Sequence, residues 1–77
     1  MMEAILSELN ALAFAGKLNS RDLALVMEAN QRYTEYLEWL ETMPLVVNTN
    51  LTLEVDGQRV RFQTIDNMAS WLSENLT

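Results

Sequence analysis

In LTLEVDGQRVRF, residues 51–62, alternating apolar and polar side chains flank Asp56-Gly57. Alternation with a period of two is typical of a half-buried β-strand, and Asp-Gly between two such runs indicates a hairpin with a type I′ turn. Apolar residues meet on one face of this hairpin, and Glu54 meets Arg59 on the other, so the register is self-consistent. A two-residue loop predicts the pairs Val55 with Gln58, Glu54 with Arg59, Leu53 with Val60, Thr52 with Arg61, and Leu51 with Phe62.

Upstream of the hairpin, Pro44 separates the predicted strand from a long helical pattern. Proline disfavours helical geometry at the residue before it, so a helix must end there. Asn19 followed by Asp22 resembles a capping arrangement, which predicts that this helix runs from Ser20 to about Thr42. After Pro44 we expect extended chain over residues 45–47 and the alternating strand over residues 48–55.

Two further helices are predicted, one at each end of the sequence. Apolar residues recur at steps of three and four from Met2 to Ala15, and Gly16 can close that helix in the left-handed conformation. After the hairpin, either Thr64 or Asp66 can cap a last helix. Its apolar side is formed by Ile65, Met68, Ala69, Leu72 and Leu76, with Trp71 at the edge.

The order helix, helix, strand, strand, helix predicts a single small α+β domain over residues 1–77. Two strands alone form a marginal sheet, so we expect the two-stranded antiparallel hairpin to pack on the helices. The chain is 49% hydrophobic, which is typical of a globular domain and not of a disordered one. A domain this short buries only about 60–65% of its unfolded surface, so self-association remains an alternative.

The absence of cysteine and histidine removes disulfides, thiolate nucleophiles, zinc sites of the Cys/His type and the usual general base near neutral pH. We also find no carboxylate pair predicted to share a cleft, no serine beside a base, no glycine-rich phosphate loop and no calcium-binding loop. The sequence therefore predicts a protein that is not an enzyme and that uses no cofactor or metal.

The formal net charge of −6 repels phosphate backbones and anionic lipid headgroups. No run of about 18 apolar residues occurs, and the sequence does not begin with a basic segment followed by an apolar core. We therefore expect a cytoplasmic protein that contacts neither a membrane nor, directly, nucleic acid.

The long second helix carries apolar residues over more of its circumference than one core needs. One stripe should pack on the hairpin and the first helix, which leaves the other for the last helix, a second copy or a partner. Asn30 in the first stripe could set the register of a helix pair or could be bonded within the chain. The first stripe is Leu23, Val26, Asn30, Tyr33, Leu37 and Leu40, and the second is Leu25, Ala29, Tyr36, Trp39 and Met43.

The remaining arc of this helix is an acidic ridge without compensating lysines. The ridge consists of Glu28, Gln31, Glu35 and Glu38, and Glu41 is close to it. Unpaired carboxylates along a rigid helix can mimic phosphates to a basic cleft, although the same pattern also serves solubility alone. Aromatic rings supply rigid contact area at interfaces, although they could equally be core residues. The predicted partner-binding residues are Glu28, Gln31, Glu35, Tyr36, Glu38 and Trp39.

These features predict a small acidic protein that acts by stoichiometric protein–protein interaction. The leading hypothesis is a phage-type inhibitor that occludes a basic, nucleic-acid-handling protein partner, such as a host-defence or replication complex. The alternative is a structural homo-oligomer or assembly subunit, such as a homodimer that pairs through the second helix. A transcription or toxin-neutralising accessory factor has less support, because no basic recognition helix is present.

Overall fold

Three helices and one hairpin form the described part of the chain, residues 2–42 and 51–76 of a computed structural model. In chain order the elements are α1 (Met2–Phe14), α2 (Ser20–Thr42), β1 (Thr52–Val55), β2 (Gln58–Arg61) and α3 (Ile65–Asn75). The predicted α+β order of helix, helix, strand, strand and helix is confirmed. The extended run predicted over residues 45–47 and the strand predicted over 48–50 lie outside the described residues.

The hairpin has the register that its sequence predicts, because the antiparallel pairs run from Thr52 with Arg61 to Val55 with Gln58. A hydrogen bond of 2.8 Å from the Phe62 amide to the Leu51 carbonyl oxygen adds the fifth predicted pair. At the turn, φ is 52° at Asp56 and 83° at Gly57. Two successive positive φ values are the mark of a type I′ turn, which matches the twist of the flanking strands.

The hairpin turn is tied to the start of α2 by Arg21. The Arg21 Nε donates to Asp56 Oδ1 at 3.0 Å, and its Nη1 donates to Asp22 Oδ1 at 3.0 Å. Its hydrogen bond to Asp56 raises the pKa of Arg21 above its ordinary value. The buried Asp22 carboxylate and the turn are thereby linked through one guanidinium group.

The helix ends follow the capping signals of the sequence. Gly16 has φ of 70°, and bonds from Gly16 N to Ala13 O and from Lys17 N to Leu12 O form a Schellman motif. The Asn19 side chain accepts from the Asp22 amide at 2.8 Å. At α3 the structure selects Thr64 of the two predicted caps, because its hydroxyl oxygen accepts from the Asn67 amide at 3.1 Å.

The core lies where α1, α2, α3 and the inner face of β1 meet. α1 packs against both α2 and α3, while α2 also packs against β1, so the hairpin lies on the helices as predicted. Phe62 and Trp71 extend the core between the hairpin and α3 through an edge-to-face contact with ring centroids 6.0 Å apart. The buried apolar residues are Met2, Leu6, Leu9, Leu25, Val26, Ala29, Leu51, Leu53, Met68, Ala69, Leu72 and Leu76.

Strand β1 departs from simple alternation at Thr52, which the sequence pattern places on the solvent-facing side. Thr52 is only 4% exposed, between the buried Leu51 and Leu53. Its carbonyl oxygen accepts a hydrogen bond of 3.1 Å from Nε of Arg32 on α2. This bond joins α2 directly to the backbone of β1 at the buried residue.

Candidate functional site

The last ten residues of α2 extend beyond the rest of the helical layer. α2 has 23 residues and α1 has 13, which corresponds to about 34 Å and 20 Å at a rise of 1.5 Å per residue. Near the start of α1, Glu3 lines the same groove as Tyr33 of α2. The residues after Tyr33 therefore continue past the start of α1. We call residues 33–42 distal α2.

Distal α2 carries three carboxylates and no lysine or arginine. Successive residues are about 100° apart around a helix axis, so the residues of one exposed arc can be identified from exposure and spacing together. Leu37 is 43% exposed and Leu40 is 40% exposed, beside the acidic side chains of that arc. This arc, which we call the acidic–leucine face, consists of Glu35, Leu37, Glu38, Leu40 and Glu41, all of them exposed, and the exposed Gln31 lies one turn before Glu35.

The two aromatic residues predicted to bind a partner border the acidic–leucine face, because Trp39 lies one turn from Glu35 and Tyr36 one turn from Leu40. Tyr36 and Trp39 are half-buried, and their ring centroids are 6.2 Å apart. Tyr36 also stacks on Tyr33 at 6.5 Å with an interplanar angle of 16°. Part of the surface of each ring is thus covered by a neighbouring ring of the same helix. The structure therefore leaves these two rings half-buried beside the exposed carboxylates.

Glu28, the first residue of the predicted ridge, contacts the hairpin. Its Oε1 accepts a hydrogen bond of 2.7 Å from the Glu54 amide. Its Oε2 lies 3.6 Å from Nη2 of Arg32, and both side chains are about four-fifths buried, with 21% and 17% exposed. Glu28 therefore joins α2 to β1, a contact that the sequence pattern does not indicate.

Arg32 also changes the charge predicted for the ridge. Its Nη1 lies 3.2 Å from Oε1 of Glu35, and Gln31 Nε2 lies 3.5 Å from Oε2 of the same carboxylate. The ridge has no lysine, but Arg32 lies within ion-pair distance of two of its carboxylates, those of Glu28 and Glu35. Four glutamates and one arginine leave a net charge of −3 on this helix surface.

A groove between α1 and α2 continues the exposed surface toward the helix–helix turn. Phe14, which is 94% exposed, lines this groove and also a neighbouring groove that contains Leu23 and Met27, the latter 65% exposed. The sequence pattern gave Phe14 no role, because it lies outside the apolar stripe of α1. Its position one turn beyond Asn10 and Ala11 is the signal that could have found it. The groove, of about 550 Å³, is lined by Glu3, Leu6, Ser7, Asn10, Ala11, Phe14, Asn30 and Tyr33.

The floor of this groove contains a reciprocal amide pair. Asn10 Nδ2 donates to Asn30 Oδ1 at 3.1 Å, and Asn30 Nδ2 donates to Asn10 Oδ1 at 2.8 Å. Asn30 Nδ2 also lies 2.9 Å from the Val26 carbonyl oxygen. Of the two interpretations of Asn30, the structure supports bonding within the chain. These two amides join α1 to α2.

The buried residues of α2 lie in its first half and its exposed Leu37 and Leu40 in its second, whereas the sequence pattern predicts one buried and one exposed stripe along the whole helix. Val26 of the first stripe and both Leu25 and Ala29 of the second are buried together in its first half. Leu37 and Leu40 of the first stripe are exposed in the second half. The expectation that one whole stripe faces the core is therefore wrong. The reason is that α1 is too short to cover distal α2.

The described residues contain no group of three or more acidic side chains that could hold a metal ion. Within the same part of the chain, none of the helices combines the length and apolar character needed to span a bilayer. Comparison of the chain with models of known protein families, with curated proteins and with solved structures finds no match.

Proposed function

We propose that this chain is a non-enzymatic binding protein of the cytoplasm that occludes a basic surface on a protein partner with one-to-one stoichiometry. The observation that carries the proposal is the acidic–leucine face of distal α2. It combines exposed leucines with carboxylates on a helix segment that extends past α1.

The chemistry of this face specifies the chemistry of its partner. Leu37 and Leu40 can be buried only if the partner offers an apolar depression. Burying apolar surface stabilises the complex by about 25 cal/mol for each Å². Glu38 and Glu41 favour arginine or lysine side chains around that depression, and such charge complementarity raises the association rate and excludes acidic competitors. Surfaces with this combination occur on proteins that handle nucleic acid, because these proteins hold cations for phosphate. A phage-type inhibitor of a host-defence or replication complex would act in this way.

The experiment has two steps. A photo-crosslinking amino acid is placed at Leu37 or Leu40 in cells that make the protein, and at exposed Ser70 of α3 as the control position. The crosslinked protein is then purified, and its affinity for the unmodified chain is measured by calorimetry. We expect crosslinks from the two leucine positions and none from Ser70.

Charge reversal then tests whether the acidic–leucine face is the site. We expect the double variant Glu38→Lys/Glu41→Lys to weaken binding at least tenfold in low salt, a loss of about 1.4 kcal/mol or more. The matched control, Glu8→Lys/Glu74→Lys, changes the net charge equally at exposed positions on α1 and α3 and should weaken it less than about threefold. Equal losses in the two double variants would contradict a local site and indicate only the effect of net charge.

The alternative is a homo-oligomer that pairs through α2, and the exposed Leu37 and Leu40 favour it. Charge opposes it, because pairing two copies through this face brings Glu38 and Glu41 close to the same residues of the other copy. Light scattering at about 0.1 mM protein, in low and in high salt, distinguishes these alternatives. A dimer that forms only as salt screens the carboxylates would support the alternative, whereas a monomer at both salt concentrations excludes it over that range.

A further inference from the structure

The two edges of the hairpin differ in how their backbone groups are satisfied. Bonded and non-bonded pairs alternate along an antiparallel ladder, and the Leu51–Phe62 pair is bonded. The backbone groups of Thr52 and Glu54 therefore point away from β2. There the Thr52 carbonyl oxygen accepts from Arg32, and the Glu54 amide donates to Glu28. Side chains of α2 thus bond one outward carbonyl oxygen and one outward amide of the β1 edge.

The same alternation turns the backbone N–H and C=O groups of Arg59 and Arg61 away from β1. Both residues are exposed, and β1 lies between them and α2. The described residues make no hydrogen bond to these outward backbone groups. The β2 edge therefore presents two donors and two acceptors at the spacing of a sheet ladder.

We propose that the β2 edge binds an extended acidic segment of a partner protein as a third strand of the sheet. In this mode main-chain hydrogen bonds supply affinity, and alternate side chains supply specificity. The surface is independent of the acidic–leucine face, so either assignment can fail without the other.

Charge selects the occupant of the edge. The Arg59 side chain is 72% exposed and only 3.7 Å from an exposed Glu54 oxygen, a geometry that contributes little to stability. Arg61 forms no ion pair within the described residues. An added strand with acidic residues opposite both arginines neutralises them, and an apolar residue between the two lies beside Val60. A second copy of β2 would instead bring two pairs of arginines together, which disfavours symmetric pairing.

The test uses a capped peptide of sequence TVEIEVT, whose two glutamates can lie opposite Arg59 and Arg61. At saturating peptide we expect the backbone amides of these two residues to exchange with solvent at least about tenfold more slowly. The amides of Gln58 and Val60 are already bonded to β1 and should change little. Unchanged exchange at Arg59 and Arg61 under saturation would overturn the proposal.

Changes to the peptide separate strand addition from simple charge attraction. N-methylation of the two glutamates removes the amides that face β2, and we expect it to lower affinity at least about tenfold. N-methylation of the isoleucine removes an amide that faces away, and we expect a change of less than about threefold. TVKIKVT should not bind. Equal affinity of the two N-methylated peptides would show that no ladder forms.

Changes to the protein test the same contact from the other side. Arg61→Pro removes an outward N–H without removing a hairpin hydrogen bond, and we expect about tenfold weaker binding. Arg61→Gln keeps the N–H and should weaken binding about threefold while reducing its salt dependence. Equal losses in the two variants would contradict the backbone contact. If Arg61→Pro does not fold, the N-methylated peptides decide the question on the unmodified chain.

Discussion

Arg32 joins α2 to β1 and also pairs with two carboxylates of its own helix. Its guanidinium group contacts the Thr52 carbonyl oxygen on β1 and the carboxylates of Glu28 and Glu35 on its own helix. The side chain is only 17% exposed, so these contacts are partly shielded from water. A hydrogen bond that involves a charged group in such a setting contributes about 1.5–3 kcal/mol.

Replacing Arg32 should therefore destabilise the fold. We expect Arg32→Leu to lower the free energy of unfolding by about 1–3 kcal/mol, because the Thr52 carbonyl oxygen loses a donor and Glu28 loses its counter-charge. Arg59→Leu, at an exposed ion pair, is the matched control and should change it by less than about 0.5 kcal/mol. Urea denaturation followed by circular dichroism measures both. Similar values for the two variants would show that Arg32 adds nothing beyond a surface charge.

The Asn10–Asn30 pair is expected to behave as one unit. Replacing either residue with alanine leaves a partly buried amide without its reciprocal partner, so the two single losses should not add. We expect a coupling free energy of about 0.5–1.5 kcal/mol from a double-mutant cycle measured by urea unfolding. Additive losses would mean that the two amides contribute separately, despite their distances of 2.8 Å and 3.1 Å.

At the scale of elements, the hairpin and the helix caps follow from the sequence because their causes are local. The positive φ values at Asp56 and Gly57, the Schellman motif at Gly16 and the Thr64 cap each depend on a few adjacent residues. The exposure of distal α2 could not be predicted in the same way. It depends on where α1 begins relative to α2, which is a tertiary relation.

The hairpin turn gives a prediction at this scale. Gly57 has φ of 83°, where an added Cβ meets no neighbouring atom within 4 Å, so the cost of a side chain is conformational and not steric. We expect Gly57→Ala to lower the free energy of unfolding by about 1–2 kcal/mol. Gly57→Asn should lose less, because asparagine tolerates the left-handed region. Thermal and urea unfolding of the two variants give the comparison, and a smaller loss for alanine than for asparagine would contradict this account.

At the scale of the whole molecule, charge is distributed unevenly over the described surface. The charged groups of distal α2 are all carboxylates, whereas the outer side of β2 carries Arg59 and Arg61. The acidic ridge and the aromatic stripe were predicted as one site, and in the structure the carboxylates of distal α2 are exposed while Tyr36 and Trp39 beside them are half-buried. The candidate site could thus be predicted as far as its helix and its charge. Its apolar component, Leu37 and Leu40, required the structure.

The two exposed leucines should matter for binding and not for stability. We expect Leu37→Gln/Leu40→Gln to change the free energy of unfolding by less than about 1 kcal/mol, because both side chains already contact water. Leu25→Gln, at a position that is 2% exposed, is the contrasting control and should prevent stable folding. Chemical denaturation of the double variant tests the first expectation. A loss of several kcal/mol would show that the leucines belong to the core.

The packing of α1 against α3 joins two segments from opposite ends of the chain, since Leu9 and Leu72 line one groove. Closing so long a loop costs more entropy than forming either hairpin of neighbouring elements, so we expect this contact to develop after the rate-limiting barrier. Leu72→Ala should then accelerate unfolding in stopped-flow experiments while leaving the refolding rate nearly unchanged. In that case the lifetime of the folded chain depends on how tightly its first and last helices pack together.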